Sequence, residues 1–159
     1  NAINELEDTN IIFTKTNSDT NGKIINKMID QFVFKYPKKA ISFFSLGQIK
    51  YLSALKYVDI CMGNSSSGLL EAPSFKIATV NIGDRQKGRI KADSVINCIP
   101  LKEDILKAIN KVYSVNFQNL LKKIKNPYDN GESSKKIFKI LKNSSFKNIL
   151  KKRFHDITF

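Results

Sequence analysis

Histidine and cysteine are scarce in this 159-residue chain. Its one histidine, His155, lies in the tail, which argues against any reaction here that needs an internal histidine base. Its two cysteines, Cys61 and Cys98, each sit in an apolar, strand-like run. With no C-x-x-C pair and no His/Cys cluster, no metal site is expected, and the two thiols read as small hydrophobes suited to a reducing cytoplasm. No apolar run reaches the length of a membrane span, and no secretory signal pattern is present. A cytoplasmic location and no membrane partner are therefore expected. Position 1 is Asn rather than Met, so the chain reads as processed or as a piece of something longer.

The apolar share, 42%, is ordinary and at this length suits one compact domain with a real core. Charge is one-sided: 27 Lys+Arg stand against 14 Asp+Glu, a net +13. Such a balance fits nucleic acid or an anionic membrane. It also fits the Lys-, Asn- and Ile-rich composition of an A+T-rich genome, with Lys on every solvated face. Lys greatly outnumbers Arg and no aromatic-plus-Arg stripe appears, which favours composition. No nucleic-acid partner is expected, although a positive field would help recruit an anionic nucleotide. The tail from Lys122 to Arg153 carries eleven basic residues and two acids. It reads as a solvated helix pair that packs Ile137, Leu141, Phe146 and Leu150 on the core, with a basic binding module as the other reading.

Along the chain, strand and helix patterns alternate. Residues 1–9 read as a linker remnant. Residues 10–13 read as a strand, 15–22 as a polar loop, and the region from Lys23 to Pro37 as a helix with Ile25, Met28, Ile29 and Phe32 on one face. Ala40–Phe44 is the next strand, Ser45–Gly47 its turn, and Gln48–Tyr57 a helix with Leu52 and Leu55 inward. Val58–Met62 reads as a buried strand. It is followed by Gly63-Asn-Ser-Ser-Ser-Gly68 and a helix opening at Leu69. Lys76–Ile82 and Ser94–Ile99 are further strands. Helices are expected after Pro100 (Ile105, Ile109, Val112 and Tyr113 on one stripe), over 116–125, 134–141 and 143–153. Residues 126–131 form a turn. The domain proper spans 10–142 and a basic helix and tail spans 143–159.

This order predicts an α/β fold, a Rossmann-like doubly wound parallel sheet. Ligands of such folds sit at the carboxyl ends of the strands, and four polar loops fall there: 15–22, 45–47, 63–68 and 83–88. A small polar loop with two glycines between strand and helix suits an anion through its N–H groups. Ser65 and Ser66 could hold a diphosphate, Arg85 could add a charge-assisted contact, and Glu71 could accept both hydroxyls of a ribose. Each has a plainer reading: serines that cap a helix, a carboxylate that meets a helix dipole, and a solvated loop charge.

The motifs also carry a resemblance. Gly63-Asn-Ser-Ser-Ser-Gly-Leu-Leu-Glu71, followed by Val80-Asn-Ile-Gly-Asp-Arg-Gln-Lys-Gly-Arg89, resembles the hydrolysing UDP-N-acetylglucosamine 2-epimerases. That family carries G-N-S-S-x-G-x-x-E and then V/I-N-x-G-x-R-Q-x-G-R. Asn17-Ser-Asp-Thr-Asn-Gly22 resembles the family's N-x-D-x-x-G loop. Asn126-Pro-Tyr-Asp-Asn-Gly131 with Ser134 resembles its N-P-Y-G-x-G segment, with Asp129 in place of the usual Gly. The match keeps the family's order from about Asn10 to Leu141.

The resemblance implies the C-terminal half of a two-domain, GT-B-type fold, the half that binds UDP. Ser65 and Ser66 would then contact the diphosphate, Glu71 the ribose, Arg85 the phosphate side, and the backbone near Leu46 the uracil edge. Asn17 falls at a ligand-contacting position. The implied partners are UDP or a UDP-sugar and an N-terminal domain of the same polypeptide; a homo-oligomer is left open, and no cofactor is implied. The family's catalytic carboxylates lie in that other domain and its important histidine lies before this region. The resemblance thus places no catalytic residue in this chain and implies that the chain alone is inactive. The nucleotide-binding half of a GT-B glycosyltransferase is the alternative. The sugar is N-acetylglucosamine by family default, with a diacetamido-dideoxy sugar as the other option.

Overall fold

A computed structural model describes residues 2–16, 20–129, 131–147 and 150. The chain divides into two compact units, Asn1–Tyr128 and Asp129–Phe159.

Among the described residues the first unit holds five short strands, β1 (Ile11–Thr14), β2 (Ala40–Phe43), β3 (Ile60–Gly63), β4 (Ala78–Ile82) and β5 (Val95–Cys98). Between and after them run α1 (Gly22–Lys35), α2 (Gly47–Ala54), the single turn α3 (Ser67–Leu70), α4 (Lys102–Val112) and α5 (Val115–Lys123). Every strand pair is parallel, as the strand–helix alternation requires. The architecture is Rossmann-like α/β. The ladder is split, however: β1 pairs with β2, and β3, β4 and β5 form a second sheet in that order. Alternation dictates the direction of pairing but not a continuous ladder, and among the described residues no strand bond joins the two sheets.

β4 is the centre of the larger sheet, and its burial explains the β-branched run there. Ala78, Thr79, Val80 and Asn81 are all buried. Successive side chains leave opposite faces. Ala78 and Val80 pack with Ala108, Ile109 and Val112 of α4 and with Phe117 and Leu121 of α5. The other face meets α3, where the Thr79 hydroxyl donates to the Gly68 carbonyl at 2.7 Å. A second cluster, Leu55, Ala72 and Ile77, is flanked by Tyr51, Leu52 and Cys61. The large sheet is thus covered on both faces. In α1 the expected apolar face is only half used: Phe32 stacks edge-on against Phe13 at 5.7 Å, whereas Ile25 and Met28 are exposed. Tyr113, expected on the inward stripe of α4, caps that helix and is exposed.

The opening segment, read above as a linker, carries a 3-10 turn (Ala2–Glu5) with Ala2 buried. Leu6 packs on the main core cluster, and Glu5 pairs with Lys102 at 2.5 Å.

The second unit contains α6 (Ser133–Asn143). Its Ile137 and Leu141 are exposed, as are Phe146 and Leu150. The expected helix over 143–153 is not present at the described residues 144–147. Ser144 is extended, and its hydroxyl donates back to the Ile140 carbonyl at 2.7 Å. Such local bonds compete with helix continuation.

Candidate functional site

Parallel register brings two of the polar loops side by side. Gly63, the last residue of β3, lies opposite Asn81 of β4. The serine loop therefore leaves the sheet next to the loop that follows Ile82, and both start at strand carboxyl ends. Gly63 (φ 143°) and Gly83 (φ 81°) supply conformations that side chains resist.

The helix that begins at the serine loop is one turn long. Pro73 accounts for this: it lacks an N–H, its ring would clash with the carbonyl four residues back, and it disfavours helix at Ala72. The chain continues instead as a 3-10 turn, Ala72–Phe75. Glu71 thus stands at the junction of the two rather than on the first turns of a continuous helix. A dipole from one turn is small, which leaves hydroxyls and loop N–H groups as the available donors. Ser65 is exposed and Ser66 half-buried. Neither serine forms a side-chain N-cap on α3. Ser65 Oγ accepts a long 3.3 Å bond from the Ser67 amide.

Behind the loop lies a half-buried polar cluster that sequence reasoning missed. The Tyr51 hydroxyl of α2 is hydrogen-bonded to Ser67 Oγ and stands 3.8 Å from Cys61 Sγ. Burial pushes the Tyr51 phenol up to about 12, opposed by its Ser67 bond and aided by Cys61 and the Glu71 charge. Burial likewise raises the Cys61 thiol, with the Tyr51 bond opposing and Glu71 adding to the rise. Both groups are neutral at ordinary pH. Glu71 itself has one carboxylate oxygen, Oε2, buried with no hydrogen-bond partner. An unpaired buried acceptor costs about 1–3 kcal/mol, more when charged. A donor from outside the described residues would relieve that cost.

The second loop is tied to the first by a side chain. Gln86 is buried, and its Nε2 donates to the Asn64 carbonyl at 2.7 Å. Arg85, its neighbour, is exposed and makes no hydrogen bond or ion pair among the described residues. Leu46 is half-buried at the start of α2, the helix whose Tyr51 reaches the serine loop. The geometry therefore places Ser65 and Ser66 on the serine loop, Glu71 at the end of the one-turn helix that follows it, and Arg85 on the adjoining loop. Leu46 is linked to them through α2. Asn17 lies outside the described residues, and so does His155.

The N-P-Y segment, read above as a turn, has a further part in this arrangement. Asn126 Nδ2 donates to the Leu70 carbonyl at 2.7 Å and to Ser74 Oγ at 2.8 Å. It thereby satisfies the end of α3. Tyr128 donates its hydroxyl to the Ile90 carbonyl at 2.8 Å. Asn126 and Tyr128 were legible only as parts of a motif, because their partners are 38 to 56 residues away. Among the described residues no group of three or more His, Cys, Asp or Glu could hold a metal.

Fold and loops together define a Rossmann-like α/β protein with polar loops gathered at strand carboxyl ends. The chain belongs to the UDP-N-acetylglucosamine 2-epimerase family, whose sequence profile matches residues 1–142. It is 43% identical over 156 residues to the GDP/UDP-N,N'-diacetylbacillosamine 2-epimerase (hydrolyzing) of Campylobacter jejuni, covering 98% of this chain and 40% of that protein. It is 39% identical over 128 residues to the polysialic acid biosynthesis protein P7 of Escherichia coli, covering 80% and 32%. It is 33% identical over 112 residues to the UDP-N-acetylglucosamine 2-epimerase of Neisseria meningitidis, covering 70% and 29%. The chain thus spans less than half the length of these relatives.

Proposed function

We propose that this chain is the UDP-binding part of a hydrolysing UDP-sugar 2-epimerase, the C-terminal lobe of a GT-B-type pair of domains. The observation that carries the reading is the unpartnered, buried Glu71 Oε2 beside a loop of serines. A carboxylate in that state suits the donor hydroxyls of a ribose. Ser65, Ser66 and Arg85 would take the diphosphate and the Leu46 backbone the uracil edge. In the proposed reaction, UDP leaves by elimination across C1–C2 of the sugar, and water then adds with inverted C2 stereochemistry. Binding the departing diphosphate stabilises the charge it gains. The proton transfers need a base at C2 and an acid for the leaving group. Those we assign to an N-terminal domain of the complete polypeptide.

The names of the relatives divide between diacetylbacillosamine and N-acetylglucosamine. We assign the choice of sugar to the same absent domain. The two free thiols fit a reducing cytoplasm, and no helix of the described residues is long and apolar enough to cross a membrane.

The chain alone is expected to produce no N-acetylmannosamine from UDP-N-acetylglucosamine. Incubation followed by chromatography of the sugars checks this. Steady accumulation of N-acetylmannosamine would contradict the division of labour.

A further inference from the structure

We infer that Gln86 is a positioning residue that presets the serine loop for a diphosphate; the inference rests on the UDP-binding reading. Gln86 is 6% exposed. Its Nε2 donates to the Asn64 carbonyl at 2.7 Å, and its Oε1 is buried without a partner. Turning the amide over would set Oε1 against the Asn64 carbonyl, two acceptors face to face, so the contact fixes the orientation. An apolar side chain of this size would avoid the orphaned oxygen. The position therefore carries a net polar cost that is offset only by the bond its N–H makes.

That bond acts on the next residue. The Asn64 carbonyl and the Ser65 N–H belong to one planar trans peptide and point in opposite directions. Holding the carbonyl aims the Ser65 N–H. Gln86 is itself held by turns of its own loop, with the Lys87 amide donating to the Asp84 carbonyl at 2.7 Å and the Arg89 amide to the Gln86 carbonyl at 3.3 Å. Gln86 thus sets the direction of a donor on the serine loop, and it does so without itself touching the ligand. The cost of ordering that donor is met before the anion arrives, which is how preorganisation raises affinity.

The test compares the chain with its Gln86→Met and Gln86→Glu variants. Met removes the donor at similar volume. Glu keeps the shape and turns an oxygen toward the Asn64 carbonyl. Two readouts are taken: amide hydrogen exchange over residues 64–67 without nucleotide, and calorimetric affinity for UDP and for uridine. Both variants should exchange the Ser67 amide, which donates to Ser65 Oγ at 3.3 Å, faster. They should bind UDP about tenfold more weakly, the loss of roughly one hydrogen bond, with uridine affinity unchanged. Should Gln86→Met not fold, Gln86→Glu supports the same comparison. Unchanged exchange, or equal losses for UDP and uridine, would overturn the inference. A native chain that binds no UDP would instead defeat the nucleotide reading, while exchange still decides whether Gln86 pins the loop.

Discussion

Tyr51, Ser67, Cys61 and Glu71 form a cluster in which three neutral hydrogen-bonding groups stand near one carboxylate whose Oε2 has no partner. The raised Tyr51 pKa has a direct consequence. Its folded value, about 12, lies above the ordinary 10.0, so the folded state keeps the phenol proton that the unfolded state releases first. Stability then falls as pH rises from 10 to 12 and is full below that window. Thermal unfolding of the native chain and of Tyr51→Phe across these pH values should show a steeper loss in the native chain. Cys61 shifts in the same direction, and the Tyr51 bond opposes that shift, so both chains are compared in a Cys61→Ala background, where the difference between the two profiles belongs to Tyr51. Parallel profiles would contradict the assignment. None of this was legible beforehand. Tyr51 and Cys61 read as ordinary members of a helix and a strand, because their meeting depends on how α2 seats against β3.

At the scale of elements, the short turn α3 is set by how closely it approaches β4. A Cβ added at Gly68 would fall 2.5 Å from Thr79 Cγ2, closer than packed atoms tolerate. Gly68→Ala should therefore destabilise the fold by about 1–3 kcal/mol, the usual cost of overpacking. Thr79→Ser removes that methyl and keeps the hydroxyl bond to the Gly68 carbonyl. Adding it to Gly68→Ala should restore most of the loss, measured by denaturant unfolding. A Gly68→Ala chain as stable as the native one would show that α3 can move off the sheet. The second glycine of the serine loop is thus explained by packing, where the sequence suggested only phosphate chemistry. The strand positions were legible because β-branched and apolar runs alternate with helical stripes. The length of α3 was not, although Pro73 already forbade a long helix. The split of the sheet and the loss of helix after Asn143 depend on pairing and local hydroxyl bonds, which periodicity does not encode.

For the molecule as a whole, long motifs in a fixed order made the family legible before any coordinates, and the profile match over residues 1–142 places the chain in it. The motifs named residues with charge or hydroxyls: Ser65, Ser66, Glu71 and Arg85. The motifs contain Gln86 and Asn126 but gave them no role, and Thr79 lies outside every motif; these residues hold the loops in place, and an amide or a buried threonine has no signature without its partner. The central claim is that the loops after β3 and β4 grip UDP, and a calorimetric titration of the chain with UDP tests it most directly. The account predicts one saturable site, weakened by about 1.5–3 kcal/mol in Glu71→Ala, the worth of hydrogen bonds to a charged group. Absence of binding heat in the folded native chain, or equal affinity in Glu71→Ala, would contradict it.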